Sequence, residues 1–357
     1  MEEIRLVVDV HAHLTPQRYK NALRTGQTWH GLDGVPGELG LGGFDRSVAE
    51  RIADLDRDGV DLQLISPTAG FYQYANELAT TKVIARECND EIAETVSQHP
   101  TRFAGLATLP MQDPSSAIAE LERAMAELKL KGAMISDHVA GRTYDEPEFL
   151  PFFQAAEAMG AIVFFHQGGD TVVNHRIRRF KLGNAVGNMT ERALVFGALV
   201  FGGIMDSCPD LKVLLAHGGG YIAYGIARMD KVAGALEGNY QETGRLEPPF
   251  GPDPFSRLTR PPSDYLRRFS YDCCTYSGPA LRYLIDAVGI DRVMLGTDAP
   301  APMQLKDPVN WVMGLPELTA EEKTAILSTN PTAFLGLPAR ITSRATPRSG
   351  MTIRGRR

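Results

Sequence analysis

The run Val8-Asp9-Val10-His11-Ala12-His13 places two imidazoles two residues apart at the end of a short apolar segment. In an extended strand, residues i and i+2 point to the same face, so His11 and His13 can reach one point in space. Later apolar runs end in a similar way. Val163-Phe164-Phe165 stops at His166, Val213-Leu214-Leu215-Ala216 at His217, and Val293-Met294-Leu295-Gly296-Thr297 at Asp298. Neutral imidazoles plus one carboxylate form a ligand set for a borderline divalent cation such as zinc. A lone histidine is most often a hydrogen-bonded structural or surface residue. Four of the eight histidines at strand ends read instead as a metal and catalytic cluster. If His11, His13, His166 and Asp298 hold one ion, a position remains for water and His217 is left to act as acid or base. No lysine ends the fourth run, so a lysine bridging two metals has no candidate and one metal is expected.

Such a cluster needs a scaffold that gathers strand ends. Eight short runs have strand character: 6–10, 62–66, 103–109, 132–136, 161–165, 212–216, 269–273 and 292–297. Helical patterns separate them at 45–58, 78–97, 114–128, 146–159, 192–206 and 277–288, with a further one at 222–233. Asp113-Pro114 and Glu146-Pro147 resemble helix starts. Alternating strands and helices imply a parallel sheet. Eight repeats predict a closed (β/α)8 TIM barrel, whose active site lies at the C-terminal ends of the strands. The G-x-G-x-x-G fingerprint of a dinucleotide fold does not follow the first strand. Residues 16–44 read as a long glycine-rich loop over the mouth, and 234–262 as an insertion after the sixth strand. The barrel is expected over 1–337, and the basic stretch 338–357 reads as a disordered tail.

The 357 residues are 43% hydrophobic and 22% charged, as in a soluble globular enzyme, and the formal charge of −6 argues against general nucleic-acid binding. Small anionic substrates stay open, because one arginine can hold a carboxylate inside an acidic protein. Cys88, Cys208, Cys273 and Cys274 form no C-x-x-C pair, so a thiolate zinc site is not expected. The N-terminus does not read as a signal peptide, and the apolar runs are too short to span a bilayer, so a reduced, cytoplasmic protein is expected. Among other residues, His138 follows the fourth strand and is a candidate for the pocket wall. His217-Gly218-Gly219-Gly220 could bring backbone amides close to a ligand. His30, His99 and His175 read as loop or surface residues.

These residues carry a family resemblance. Asp9-Val10-His11-Ala12-His13, Leu55-Asp56-Arg57-Asp58-Gly59-Val60, the stretch from Arg102 to Gln112, Phe165-His166, the stretch from Pro209 to Gly220 and Leu295-Gly296-Thr297-Asp298-Ala299-Pro300 resemble the amidohydrolase superfamily. The branch is that of aminocarboxymuconate semialdehyde decarboxylase, and the likeness spans Val8 to about Leu337. It implies a distorted (β/α)8 barrel, one catalytic divalent metal and often a homodimer. By position, His11, His13, His166 and Asp298 match the family's metal ligands, and His217 its catalytic histidine. Arg228 matches an arginine that enters a neighbouring subunit's site and holds a substrate carboxylate. The chain departs where the decarboxylase has a tryptophan-rich segment: here it reads Arg179-Phe180-Lys181-Leu182-Gly183-Asn184-Ala185. His166 is followed by Gln167-Gly168-Gly169, and for a second carboxylate-binding arginine only Arg46 and Arg51 lie nearby. The expectation is a metal-dependent, non-oxidative decarboxylase of an aromatic or unsaturated carboxylic acid, on zinc or else manganese, whose substrate is not the semialdehyde. The alternatives are a hydrolase of an amide, ester, lactone or carbon–carbon bond, and a metal-stabilised binding protein.

Overall fold

Short runs rich in valine, isoleucine, leucine and phenylalanine form eight parallel strands, and nearly every strand residue is buried. Continuous burial is the signature of parallel strands covered on both faces. The computed structural model describes residues 6–32, 42–243 and 258–337. Strands β1 (Val8–Leu14), β2 (Leu62–Pro67) and β3 (Phe103–Gly105) form one ladder. Strands β4 (Gly132–Ile135), β5 (Ile162–Phe165), β6 (Lys212–Leu215), β7 (Phe269–Asp272) and β8 (Val293–Met294) form the other.

Hydrogen bonds cross both seams between the ladders. Ala107 N donates to Gly132 O at 2.9 Å, and Met134 N to Ala107 O at 2.8 Å. On the other side Val10 N donates to Leu295 O at 2.8 Å, and His13 N to Ala299 O at 2.7 Å. The sheet therefore closes into a (β/α)8 barrel, and closure removes the edges that an open sheet would expose.

Helices α1 (Gln17–Arg24), α2 (Val48–Asp58), α3 (Leu78–Gln98), α4 (Pro114–Ala126), α5 (Leu150–Ala158), α6 (Asn188–Phe201), α7 (Ile204–Ser207), α8 (Ile222–Thr243) and α9 (Gly278–Val288) follow the chain order. Their starts obey local chemistry. Ser47 and Glu50 form a reciprocal capping box on α2, and Asp113 accepts from Ser116 N with Pro114 in the first turn of α4. Phe152, Phe153, Phe164, Phe165, Phe196 and Phe269 are fully buried, with Phe164 packed on His11 inside the barrel and Phe165 on Phe153 of α5 outside it. Burying each such side chain stabilises the fold by about 1.5–3 kcal/mol.

Several boundaries differ from the sequence expectation. Strand β1 continues through both histidines to Leu14, because Ala12, His13 and Leu14 pair with β2 and His13 N donates to Ala299 O. Glu146-Pro147 opens a 3-10 turn, Pro147–Phe149, before α5 begins. The expected helix over 192–206 breaks into α6 and α7, since Gly203 adopts φ 75° between them. The expected loop over 16–44 contains α1, and α8 runs into the expected insertion as far as Thr243. Residues 33–41, 244–257 and the expected tail 338–357 lie outside the described residues.

Candidate metal centre

The side chains of His11, His13, His166 and Asp298 meet at the C-terminal mouth of the barrel, with one ligand atom from each within 4.8 Å of all the others. His11 Nε2 lies 3.2 Å from His13 Nε2. Asp298 Oδ1 lies 3.1 Å from His13 Nε2, 3.4 Å from His11 Nε2 and 3.9 Å from His166 Nε2. A tetrahedral ion with bonds of about 2.1 Å needs ligand atoms roughly 3.4 Å apart. The spacing matches. His166 adds a second test: it is buried, yet among the described residues neither ring nitrogen has a hydrogen-bond partner. A buried imidazole without a partner is costly unless a cation takes its lone pair. The donor set therefore fits a divalent metal.

The elements explain the convergence. His11 and His13 share one face of β1, His166 follows β5 and Asp298 follows β8. Asp298 and His217 are non-glycine residues held at φ 59° and 57°. Such left-handed backbone costs of order 1–3 kcal/mol and persists where surrounding bonds enforce it. Asp298 N donates to His11 O at 2.9 Å, and His217 N to Asp272 Oδ2 at 2.9 Å.

Asp272, the last residue of β7, is the functional residue that the sequence reading missed. It is fully buried and accepts from His11 Nδ1 at 2.6 Å, His217 N at 2.9 Å, Gly218 N at 2.8 Å and Cys274 N at 3.0 Å. Its bond to His11 Nδ1 fixes the tautomer that leaves the Nε2 lone pair for a cation. The signal was present in the sequence, because Asp272 is a polar residue ending a strand, as His166 and Asp298 were expected to be. Asp9 plays a related part from inside β1. It accepts from His11 N, Thr297 N, Thr297 Oγ1 and Gln63 Nε2, tying β1 to the loop that carries Asp298.

The electrostatics follow from burial. Burial pushes the His11 imidazole down, but Asp298 and Asp272 outweigh it and raise it to about 10. Burial opposes ionisation of Asp298 too, yet the His11 charge and the imidazole hydrogen bonds hold its carboxyl well below the usual range. Burial and the neighbouring imidazoles push His166 far down. The pattern is two buried carboxylates drawing a positive charge into the cluster. A proton on His11 answers that demand without a metal, and a divalent cation answers it more fully.

His217 stands beside the cluster, with Nε2 3.6 Å from Asp298 Oδ2 and, among the described residues, no partner for Nδ1. His217 and Asp298 line one cavity of about 560 Å³. The glycines after His217 serve packing: a Cβ on Gly219 would lie 2.6 Å from the Tyr271 ring, and one on Gly220 2.2 Å from Met189 O. The amides of His217 and Gly218 are taken by Asp272, so they are not offered to a ligand.

The remaining candidates are not brought to the cluster. His138 uses both ring nitrogens on backbone, with Nε2 3.1 Å from Asp170 O and Nδ1 accepting from Gly141 N at 3.0 Å. Arg228 is exposed on α8 and does not line the cavity of its own subunit. Arg51 is buried and donates to His13 O at 2.9 Å and to Gln63 Oε1, and Arg46 pairs with Asp54 at 3.0 Å. Both arginines are engaged away from the cavity.

A closed (β/α)8 barrel with this histidine and aspartate mouth defines a metal-dependent enzyme scaffold. The amidohydrolase family model matches residues 8–337, and the chain belongs to that family. It is 32% identical over 348 residues to 2-amino-3-carboxymuconate-6-semialdehyde decarboxylase of Dictyostelium discoideum, covering 93% of this chain and 92% of the relative. It is 29% identical over 263 residues to gamma-resorcylate decarboxylase of a Polaromonas species, covering 70% of this chain and 76% of the relative. The crystal structure of 5-carboxyvanillate decarboxylase from Sphingomonas paucimobilis aligns with a TM-score of 0.79 at 29% identity, covering 94% of this chain and 100% of that one.

Proposed function

We infer that this chain is a metal-dependent, non-oxidative decarboxylase of an aromatic or unsaturated carboxylic acid. The convergence of three imidazoles and Asp298, with Asp298 and His217 lining an open cavity, carries the reading. The decarboxylase names of its relatives support it. His11, His13, His166 and Asp298 would hold one divalent ion, with zinc the ion best suited to this donor set and manganese the next. That ion would supply Lewis acidity toward a substrate oxygen.

The chain's own residues do the rest. Asp272 keeps His11 in the binding tautomer, and Ser66 Oγ, 3.1 Å from His13 Nδ1, does the same for His13. His217 gives a proton to the carbon that loses its carboxylate. That carbon gains hydrogen, its bond to the carboxylate breaks, and carbon dioxide leaves without an electron acceptor. Arg228 would hold the substrate carboxylate in the site of a second subunit, which makes a homodimer the active unit. A guanidinium suits this task because its planar fork can bond both oxygens. Four buried cysteines without disulfides suit a reducing, cytoplasmic setting.

The test is metal analysis of purified protein, followed by a screen of aromatic carboxylates for carbon dioxide release. One equivalent of divalent metal and chelator-sensitive release are expected. Turnover that survives complete metal removal would refute the reading, and hydrolysis without carbon dioxide release would move the chain to the hydrolases.

A further inference from the structure

In a metal-binding imidazole, the nitrogen turned away from the ion normally donates to an outer partner, which fixes the ring. His11 has Asp272 for this purpose and His13 has Ser66 Oγ. His166 differs: among the described residues, both of its ring nitrogens lack a hydrogen-bond partner. Its ring is bounded instead by other rings, with centroids at 4.6 Å for His13, 5.0 Å for His11, 5.2 Å for His217 and 6.1 Å for Phe164. Ring packing limits rotation, but how far the side chain reaches is set by the backbone beneath it.

That backbone is held from several elements. His166 N donates to Ile135 O, at the end of β4, at 3.0 Å. Phe165 O accepts from Ala216 N, just beyond β6, at 3.2 Å and from the Arg192 guanidinium on α6. His166 O accepts from Tyr72 Oη at 2.8 Å. Gly168 N, two residues on, donates to Ser136 Oγ at 3.1 Å. The bonds to Ile135 O and from Ala216 N continue the strand ladders, as at any barrel strand. Those from Tyr72 and Arg192 do not, and they fall on the two carbonyls that flank the His166 α-carbon.

Both side chains are buried polar groups. Arg192 is fully buried, with its charge met by Asp137 after β4. Such a pair adds little stability over an apolar pair of similar volume, so stability alone does not account for it. Tyr72 follows β2 and stacks on Tyr74 with ring centroids 5.4 Å apart. Burial pushes its phenol well up, so it stays a donor at neutral pH. Neither residue lines the cavity beside His217, so each acts through His166.

We propose that Tyr72 and Arg192 are positioning residues for His166, holding the carbonyls on either side of its α-carbon so that a ring with no hydrogen bond of its own meets the ion. The proposal rests on the metal site of the reading above.

Cobalt is the probe. Competition with a chromophoric chelator gives its affinity, its absorption spectrum reports the ligand geometry, and thermal unfolding of the metal-free protein gives stability. Tyr72→Phe should weaken cobalt about 10–100-fold and shift its spectrum. Tyr271→Phe is the control: this fully buried tyrosine donates to Leu266 O at 3.0 Å, away from His166. It should lose stability comparably and keep the wild-type affinity and spectrum. Arg192→Lys keeps a charge against Asp137 but lacks the planar fork that serves Asp137 and Phe165 O together, so it should also weaken cobalt and shift the spectrum. Wild-type affinity and spectrum in folded Tyr72→Phe would overturn the proposal, and so would equal weakening in Tyr271→Phe. If Tyr72→Phe does not fold, Arg192→Lys decides by the same readouts. Failure of both to fold would assign the two residues to the fold rather than to the ion. Wild-type protein that takes up no cobalt would sink the metal reading itself, whereas cobalt uptake with unchanged variants sinks the positioning role alone.

Discussion

Asp272→Asn separates support of the metal from the metal contacts themselves. The wild-type carboxylate takes four hydrogen bonds, from His11 Nδ1 and from the amides of His217, Gly218 and Cys274. Alanine would strand three backbone donors in a fully buried place, at about 1–3 kcal/mol each. That sum approaches the whole stability of a domain, about 5–15 kcal/mol, so alanine invites unfolding. Asparagine keeps the shape and one acceptor but loses the charge and gains a donor. Its NH2 must face either His11 Nδ1 with the His217 amide or the Gly218 and Cys274 amides, and either choice breaks bonds. Facing His11, it favours the tautomer with the proton on Nε2, which blocks the lone pair. Loss of such a supporting partner typically weakens metal binding 10–100-fold, or about 1.4–2.7 kcal/mol. Competition with a chromophoric chelator measures the dissociation constant, and circular dichroism checks the fold. Wild-type affinity in a folded Asp272→Asn protein would refute the claim that Asp272 sets the His11 tautomer.

Three further outcomes are expected. His217→Ala should keep near-normal metal content and lose ~10²–10⁴-fold in turnover, read by carbon dioxide release; metal loss matching His11→Ala would make it a ligand instead. Excess zinc should stabilise the protein by about 2.7 kcal/mol at a hundredfold excess over the dissociation constant, with hydrogen exchange slowing at the Val10 and His13 amides more than at Ala107 and Met134; uniform slowing would contradict the placement of the ion. Inactive Arg228→Ala and His217→Ala subunits, mixed until they exchange, should regain partial activity, and hybrid dimers confirmed by mass yet without activity would confine Arg228 to its own subunit.

The sequence carried the barrel because each strand is a short, doubly buried apolar run, and such runs need no partner to be recognised. It carried the four clustered side chains because strand ends share one rim in a closed barrel. Asp272 escaped because three of its partners lie 54, 55 and 261 residues away, and only closure brings the end of β7 within reach of His11 on β1. The triple glycine was legible as a special turn, but its reason was not. Steric limits set by Tyr271 and Met189 O belong to packing between elements. The 146–159 helix was found while its 3-10 start was not, because a proline at the first turn suits both kinds of helix.

The site also sits where the fold most needs closing. His11 and His13 come from the first strand, and Asp298 follows the last. The seam between them is held by Val10 N to Leu295 O, Asp298 N to His11 O and His13 N to Ala299 O. Asp9 bridges the same seam by accepting from His11 N and Thr297 N. A metal held across it would bind the two ends of the barrel sequence to each other and to β5 through His166. The strained φ angles of Asp298 and His217 follow from this arrangement, because each backbone must turn sharply at the rim to aim its side chain inward. Asp9 therefore acts in two ways at once: its hydrogen bonds close the barrel, and the same bonds set the position of His11 and of the loop that carries Asp298, while Asp272 orients the His11 ring from β7.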